Sequence, residues 1–227
     1  NSFGLRKIFR YFESNLELFL MTSGLMMVLL GTIIARINHE YFKSVLTVED
    51  GFMEWSSVIF LLSASIVSFN RANTIQFSRL GKIVLLLFGF LFLFGAGEEI
   101  SWGQRLLNIE SGDFFKEINS QGETNLHNLT INGVKINKLI FGKLLGLILI
   151  LYFLVMPWLL NRARWLKEIV RKTYLPMPKN IHILFFVLVA VLAELSGSPK
   201  KGELTEFAGT LIFFMIFMYP KNEKDLI

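Results

Sequence analysis

The sequence predicts an all-α, polytopic membrane protein with about six transmembrane helices. Hydrophobic residues make up 53% of the 227 residues, which exceeds the share of about 45 to 50% that is usual for soluble domains. They fall into runs near the length that a helix needs to cross a bilayer core, about 20 residues. Because lipid offers backbone groups no hydrogen-bond partners, each run is expected to be helical. Residues 1–227 are interpreted as a single transmembrane domain.

The first elements are an interfacial helix and the first span. Residues 1–15 include FGLRKIFRYF, in which apolar side chains alternate with Arg6, Lys7 and Arg10, and this pattern is typical of an amphipathic helix in the headgroup plane. The alternative is a solvated lead-in to the first span. Ser14 and Asn15 are good N-cap residues. The apolar run that follows is longer than the apolar region of a signal peptide and lacks a small-residue cleavage site, so it is interpreted as a span.

The remaining spans follow from the same length criterion, which tolerates about 17 to 25 residues. The predicted spans are 16–37, 52–69, 81–99, 139–160, 181–197 and 203–219. Lys and Arg concentrate in the N-terminal segment, the second and fourth loops and the C-terminal tail. These regions share one side of the membrane if the spans alternate, and the positive-inside rule then places both termini in the cytoplasm.

The connection 100–138 is the one long loop, and it is predicted to be extracytoplasmic. Loops longer than about 12 to 15 residues are usually functional or disordered. Apolar residues recur in this loop among charged ones, which favours an amphipathic helix on the outer surface. These residues are Leu106, Leu107, Ile109, Phe114, Phe115 and Ile118.

Composition excludes several kinds of site and partner. The chain has no Cys, so disulfides and thiolate metal sites are excluded. The net charge of +5 comes from residues between the apolar runs and not from a basic stripe with stacking aromatics, so no nucleic-acid partner is predicted. The predicted partner is the lipid bilayer, together with a lipid headgroup or another membrane protein.

Ionisable side chains from five of the six predicted spans fall in one layer near the outer face. Carboxylates have short stems and reach the interface less readily than Lys or Arg, so a shared outward-facing polar cavity explains the layer best. Single members of the layer also have simpler explanations. Glu54 and Glu206 could be first-turn carboxylates that are stabilised by the positive end of the helix dipole, and Glu194 could simply mark the end of a span. Arg36 and Arg105 are predicted to offset part of the negative charge. The layer comprises Arg36, Glu54, Glu98, Glu99, Glu194 and Glu206.

The stretch GEEISWGQR, residues 97–105, carries the strongest site signal. Neighbouring helical residues point about 100° apart, so one of Glu98 and Glu99 can face the cavity while the other pairs with Arg105 or a loop backbone. Both glutamates are candidate catalytic residues. Trp102, Gln104 and Arg105 are candidate ligand-binding residues, together with Arg36, Glu54 and Glu206 from the layer.

A second polar constellation, QGETNLHNL, spans residues 121–129 in the long loop. His127 is the third candidate catalytic residue, because imidazole is the side chain that titrates near neutrality and also binds metals. Its alternative is an ordinary polar loop residue. Asn125 and Asn128 are candidate ligand-binding residues. The sequence contains no HExxH and no DxDxDG pattern, so it identifies neither a metal nor a cofactor.

EEISWGQR followed by NLHNL, with EDGFMEW at residues 49–55, resembles a family of uncharacterised bacterial multi-span membrane proteins. The resemblance covers residues 49–129 and implies a multi-pass protein of the bacterial inner membrane. It carries no established activity. The glutamate pair is also similar to the EExxxR element of glutamate-type intramembrane CAAX-processing proteases. Here five residues separate Glu99 from Arg105, and the FxxxH and HxxxN elements of those proteases have no counterpart around His127 or His182.

Two functions follow from these residues. The favoured one is a transporter, a binding protein or an accessory subunit whose outer polar cavity binds a lipid headgroup, an ion or a partner. The alternative is a membrane-embedded hydrolase or transferase that acts on a lipid-linked or membrane substrate with Glu98 or Glu99 and His127. In that case Arg105, Lys200 and Lys201 would hold an anionic headgroup.

Overall fold

The computed structural model of the protein describes residues 2–74, 78–126, 128–131, 134–135 and 144–222. Its regular structure is helical, apart from a short antiparallel ladder between Thr130–Ile131 and Val134–Lys135. The all-α class that the sequence predicts is therefore confirmed. The long helices are α1 (Ser2–Ile37), α2 (Phe52–Thr74), α3 (Arg79–Glu99), α4 (Leu145–Leu160), α5 (Arg164–Thr173), α6 (Asn180–Ser196) and α7 (Lys201–Met218).

Short helical turns shape two of the connections. Between α1 and α2 they are His39–Tyr41 and Phe42–Leu46. After α3 they are Ser101–Gly103, Gln104–Leu107 and Asp113–Ile118. The last of these covers part of the amphipathic pattern that the sequence predicts in the long loop.

Three helices in the described part of the chain are long and apolar enough to cross a membrane. They are Asn15–Ile37 within α1, Phe52–Asn73 within α2, and α3 itself. α4 and α6 are apolar but shorter. These helices indicate a membrane protein.

Two helix boundaries lie more than two residues from those that the sequence predicts. α1 continues without a break through Ser14 and Asn15, so the predicted N-cap there is wrong. The good helix formers on both sides of these two residues outweigh their preference for a cap position. α2 continues past residue 69 to Thr74, because tertiary contacts hold its last turn: Ala72 is buried and Arg71 Nη2 donates to the Met218 carbonyl at 3.1 Å.

α7 is the central helix of the bundle, because it packs against α1, α2 and α6 together. Most of its residues from Phe207 to Phe217 are buried and the others in this range are half-buried, as expected for a helix that is apolar all round. Aromatic side chains fill the space around it: the Phe217 ring lies 4.8 Å from that of Phe92 on α3, and Phe153 on α4 stacks on Phe186 of α6 at 4.5 Å. Such pairs add about 0.5 to 1.5 kcal/mol beyond their buried area.

The two ends of the bundle differ in charge. We call one end the acidic end; it comprises the last turns of α1, α3 and α6 and the first turns of α2 and α7. Hydrogen bonds join these elements, from Arg36 Nε to the Leu195 carbonyl at 2.6 Å and from Lys200 Nζ to the Thr47 carbonyl at 2.8 Å. The opposite end, with α5 and the first turn of α6, is the basic end. The acidic end therefore collects the helix termini on which the sequence places its charged layer.

Candidate functional site

The chain leaves α3 through a strained turn. Ser101, Trp102 and Gly103 have φ angles of 47°, 55° and 78°, all in the left-handed region. This region is natural for glycine but disfavoured for Ser and Trp, and such strain persists only where surrounding contacts fix it. One such contact is with Gly97, where a Cβ would lie 2.9 Å from the Trp102 ring. The turn reverses the chain so that Arg105 comes back over the start of α2.

Arg105 joins three carboxylates from separate parts of the chain. Its Nη1 lies 3.0 Å from Glu123 Oε1, and its Nη2 lies 3.0 Å from Asp50 Oδ1. Nη2 also donates to Glu54 Oε1 and, at 3.3 Å, to the backbone carbonyl of Glu99. The guanidinium offers its donors in a fixed planar fork, which suits several carboxylates at once. Arg105 thus ties the long loop and the end of α3 to the start of α2.

Its surroundings keep Arg105 charged. Partial burial alone would lower the pKa of the Arg105 guanidinium. The hydrogen bonds to Glu123 and the negative charges of Glu54, Glu123 and Asp50 outweigh this and raise the pKa above its ordinary value. Arg105 is therefore a permanent counter-charge for this group.

The side chains of Glu98 and Glu99 diverge, as their helical spacing predicts. Glu98 is buried; its Oε1 accepts from Trp102 Nε1 at 2.8 Å and its Oε2 from the Leu126 backbone N–H at 2.6 Å. Glu99 instead lies close enough to Glu206 on α7 for the two carboxyl groups to interact directly. Two carboxylates at such short range repel each other. Glu98 therefore holds the long loop against the end of α3, while Glu99 faces α7.

Two further glutamates lie near Glu99 and Glu206. Glu54 and Glu203 lie close enough to act electrostatically on Glu99. We call Glu54, Glu99, Glu203 and Glu206 the carboxylate cluster; its members come from α2, α3 and α7 and are half-buried. Lys200 lies within electrostatic range of Glu203. Acidic residues from three helices therefore meet at the acidic end.

The long loop folds onto the end of α3 through a polar network. Asn125 is buried, and its Nδ2 donates to Ser101 Oγ at 2.8 Å and to Glu123 Oε2 at 3.0 Å. Gln104 Oε1 accepts from the Thr124 backbone N–H at 2.7 Å. These bonds place Glu123 beside Arg105. Asn125 and Gln104 shape the loop that completes the site.

The remaining candidates lie outside the cluster. Arg36 is exposed and donates to the Leu195 carbonyl, so it caps the C-terminal end of α6. Asn128 donates through Nδ2 to the Gln121 side chain in the loop. His127 lies outside the described residues.

Glu194 from the predicted layer and Lys200, a predicted contact for a headgroup, also lie at the acidic end. The Glu194 side chain is 73% exposed and pairs with Lys201 at 2.6 Å, so it contributes to the surface of the acidic end and not to the cluster. Lys200 donates to the Thr47 carbonyl at 2.8 Å.

Three acidic residues at the site were not among the sequence candidates. Glu203 precedes Glu206 by three positions, and that spacing places both on one helix face, so the pattern offered this signal. Asp50 stands four residues before Glu54, outside the helix. Glu123 belongs to the polar stretch of the loop, but the sequence does not indicate that it meets Arg105.

Within the described ranges, no group of three or more His, Cys, Asp or Glu residues is arranged to hold a metal ion. Comparison of the chain with protein-family models, with curated proteins and with solved structures finds no match.

Proposed function

We propose that the chain is a multi-pass membrane protein whose acidic end binds a positively charged ligand, as a transporter, a binding protein or an accessory subunit. The ligand is an ion, the amine of a lipid headgroup or a basic segment of another membrane protein; these share the same chemistry. The observation that carries the proposal is the carboxylate cluster itself, in which half-buried glutamates from α2, α3 and α7 meet at the acidic end.

The charge balance of the site supports a cationic ligand. The charge of Arg105 is already distributed over Asp50, Glu54 and Glu123. Glu99 lies within electrostatic range of three other glutamates, Glu54, Glu203 and Glu206. A bound cation would offset the repulsion among these carboxylates, and the partly dry surroundings strengthen its attraction to them.

The proposed topology has six spans, with the acidic end outside and both termini in the cytoplasm of a bacterial cell. α6 and α7 have 17 and 18 residues, which at about 1.5 Å per residue cover most of a core about 30 Å thick. α5 carries basic residues at the opposite end from the cluster, in line with the positive-inside rule. The bundle then lies in the inner membrane, with the long loop on the outer face.

Cysteine labelling tests this topology, because the chain has no Cys of its own. Glu110 has an 88% exposed side chain in the long loop, and Lys172 is exposed at the basic end. In intact spheroplasts, a membrane-impermeant maleimide is expected to label the Glu110→Cys variant at once. The Lys172→Cys variant is expected to react only after the membrane is permeabilised. The reverse pattern would show that the orientation is inverted.

Ligand binding is tested by thermal unfolding of the protein in detergent with Na⁺, Ca²⁺ or spermidine. At about 100 times its Kd a ligand stabilises the folded state by about 2.7 kcal/mol, so a bound cation is expected to raise the Tm by several degrees. Glu99→Gln and Glu206→Gln should abolish that shift. Glu194→Gln is the matched control and should keep it, because this carboxylate lies at the same end but outside the cluster.

Two outcomes would refute cation binding at the cluster. One is a Tm that responds to none of the three cations; the other is a shift that survives in both cluster variants. Where a shift is found, uptake of the same cation into proteoliposomes distinguishes transport from binding alone.

A membrane-embedded hydrolase or transferase is the second candidate, and the proximity of Glu99 to Glu206 also favours it. Paired carboxyl groups act as general acid and base in several enzymes. Glu98 or Glu99 would then activate water or a nucleophile with His127 as partner, on a lipid-linked or membrane substrate. Chemical turnover of such a substrate that Glu99→Gln abolishes would favour this candidate over the binding function.

A further inference from the structure

A groove of about 350 Å³ lies at the basic end, between α4 and α5. Its walls are apolar; the Tyr152 hydroxyl donates to the Pro176 carbonyl and so is already satisfied. A groove with such walls offers nothing to a polar solute and suits a hydrocarbon chain. The side chains that form it include Ile148, Leu151, Val155 and Leu159 from α4 and Trp165 and Leu166 from α5.

α5 has the pattern of a helix that lies in the membrane interface. Leu166 and Val170 are buried against the bundle, while Trp165 is 63% and Ile169 46% exposed. Trp158, at the end of α4, is also exposed. Tryptophan prefers the headgroup level of a bilayer, and amphipathic helices with basic polar faces lie in that plane. The groove therefore opens where acyl chains meet headgroups.

Exposed cations flank, along the chain, the residues with which α5 lines the groove. Glu168 is the one acidic residue in the range 162–172. Within the part of the chain that the structure describes, none of the basic residues of this range forms an ion pair, whereas Lys116, Lys179 and Lys201 elsewhere do. The basic residues are Arg162, Arg164, Lys167, Arg171 and Lys172. The Arg162 guanidinium lies 4.1 Å from the centre of the Trp158 ring, which holds one cation at the level of that ring.

We propose that this groove is a binding site for an anionic phospholipid, with an acyl chain between α4 and α5 and the phosphate held by Arg164 and Lys167. The apolar groove suits the acyl chain of such a lipid, and the nearby cations, which form no ion pair with the described residues, suit its phosphate. Basic pockets at helix ends are a known mode of headgroup binding. A soluble phosphate would leave the slot unfilled. The site lies at the opposite end from the carboxylate cluster, so its test is independent of the proposed function.

The proposal is tested by native mass spectrometry of the protein in a neutral detergent. Phosphatidylglycerol and phosphatidylcholine with identical acyl chains are titrated separately. The wild-type protein is expected to bind phosphatidylglycerol on the order of 10-fold more tightly, because each nearby Lys or Arg contributes to the attraction of an anionic headgroup. The double variant Arg164→Gln/Lys167→Gln should lose this preference while its phosphatidylcholine binding stays unchanged. Both positions are exposed, so the variant is expected to fold.

A groove variant and a charge-matched control complete the design. Val155→Phe fills part of the groove without a change of charge, and it should weaken binding of both lipids. The control Lys43→Gln/Lys116→Gln removes the same number of cations from exposed positions near the acidic end, and it should retain the preference for phosphatidylglycerol. Equal binding of the two lipids to the wild type would overturn the proposal. So would a preference that survives in the Arg164→Gln/Lys167→Gln variant, or full competition by glycerol phosphate, which has no acyl chain.

Discussion

Arg105→Met is expected to destabilise the protein by about 3 kcal/mol, the lower end of the range for breaking a buried ion pair. The side chains of Glu54 and Glu123 are only 15% and 12% exposed, and both would lose their counter-charge. Arg105 itself is 21% exposed, so water can replace part of what is lost. The effect is measured as the free energy of unfolding in mixed micelles with increasing dodecyl sulfate.

Three further variants identify the cause of that loss. Arg105→Lys keeps the charge but not the planar fork, so an intermediate loss is expected. Adding Glu123→Gln to Arg105→Met removes one uncompensated carboxylate and should restore part of the stability. The control is Lys201→Met, which breaks an exposed pair with Glu194 and should change stability by about 0.5 kcal/mol or less. If Arg105→Met were as mild as this control, Arg105 would not be the residue that holds the acidic end together.

The helices were predictable from the sequence because their signal is local. An apolar run of span length can satisfy its backbone only as a helix, so α3 begins and ends within two residues of the predicted 81–99. The last turn of α2 was not predictable, because it depends on the bond from Arg71 to Met218, and these residues are 147 positions apart.

The contacts of the site likewise include some that the sequence predicts and others that it does not. Glu99 and Glu206 were predicted to share a layer because their depths in separate helices follow from helix rise. The meeting of Arg105 with Glu123 depends on the left-handed turn at Ser101 and Trp102, and such backbone conformations carry little sequence signal outside glycine. The sequence thus indicates which charged residues are unusual, while loop conformation decides which of them meet.

A buried ionic group at the basic end was likewise not predictable from the sequence. Glu17 lies within the first apolar run, and the sequence does not indicate that it is paired, because its partner His182 is 165 positions away. Glu17 Oε1 lies 2.8 Å from His182 Nε2, and Lys179 Nζ lies 2.7 Å from Glu17 Oε2. The group ties the middle of α1, near the beginning of its apolar part Asn15–Ile37, to the start of α6. At the acidic end the same two helices are joined by Thr32 Oγ1, which donates to the Leu192 carbonyl at 3.1 Å.

The hydrogen bonds define the tautomer of His182. The Lys179 backbone N–H donates to Nδ1 at 3.1 Å, so Nδ1 is an acceptor and carries no proton. The ring proton is then on Nε2 and is donated to Glu17. His182 is neutral in this arrangement, and Lys179 supplies the positive charge that balances Glu17. Nitrogen NMR of protein labelled at histidine is expected to show the Nε2–H tautomer for His182.

His182→Ala is expected to cost about 3 kcal/mol, because it opens a cavity at a fully buried position and leaves Glu17 without its donor. Glu17→Ala should have a similar effect, since it leaves the buried Nε2–H unsatisfied. The double variant should be less destabilised than the sum of the two, with a coupling energy of about 1 to 3 kcal/mol. Unfolding in mixed micelles measures all three variants. Effects that simply add would mean that the two side chains do not stabilise each other, and that other contacts between α1 and α6, among them the hydrogen bonds from Thr32 and Arg36, align these helices.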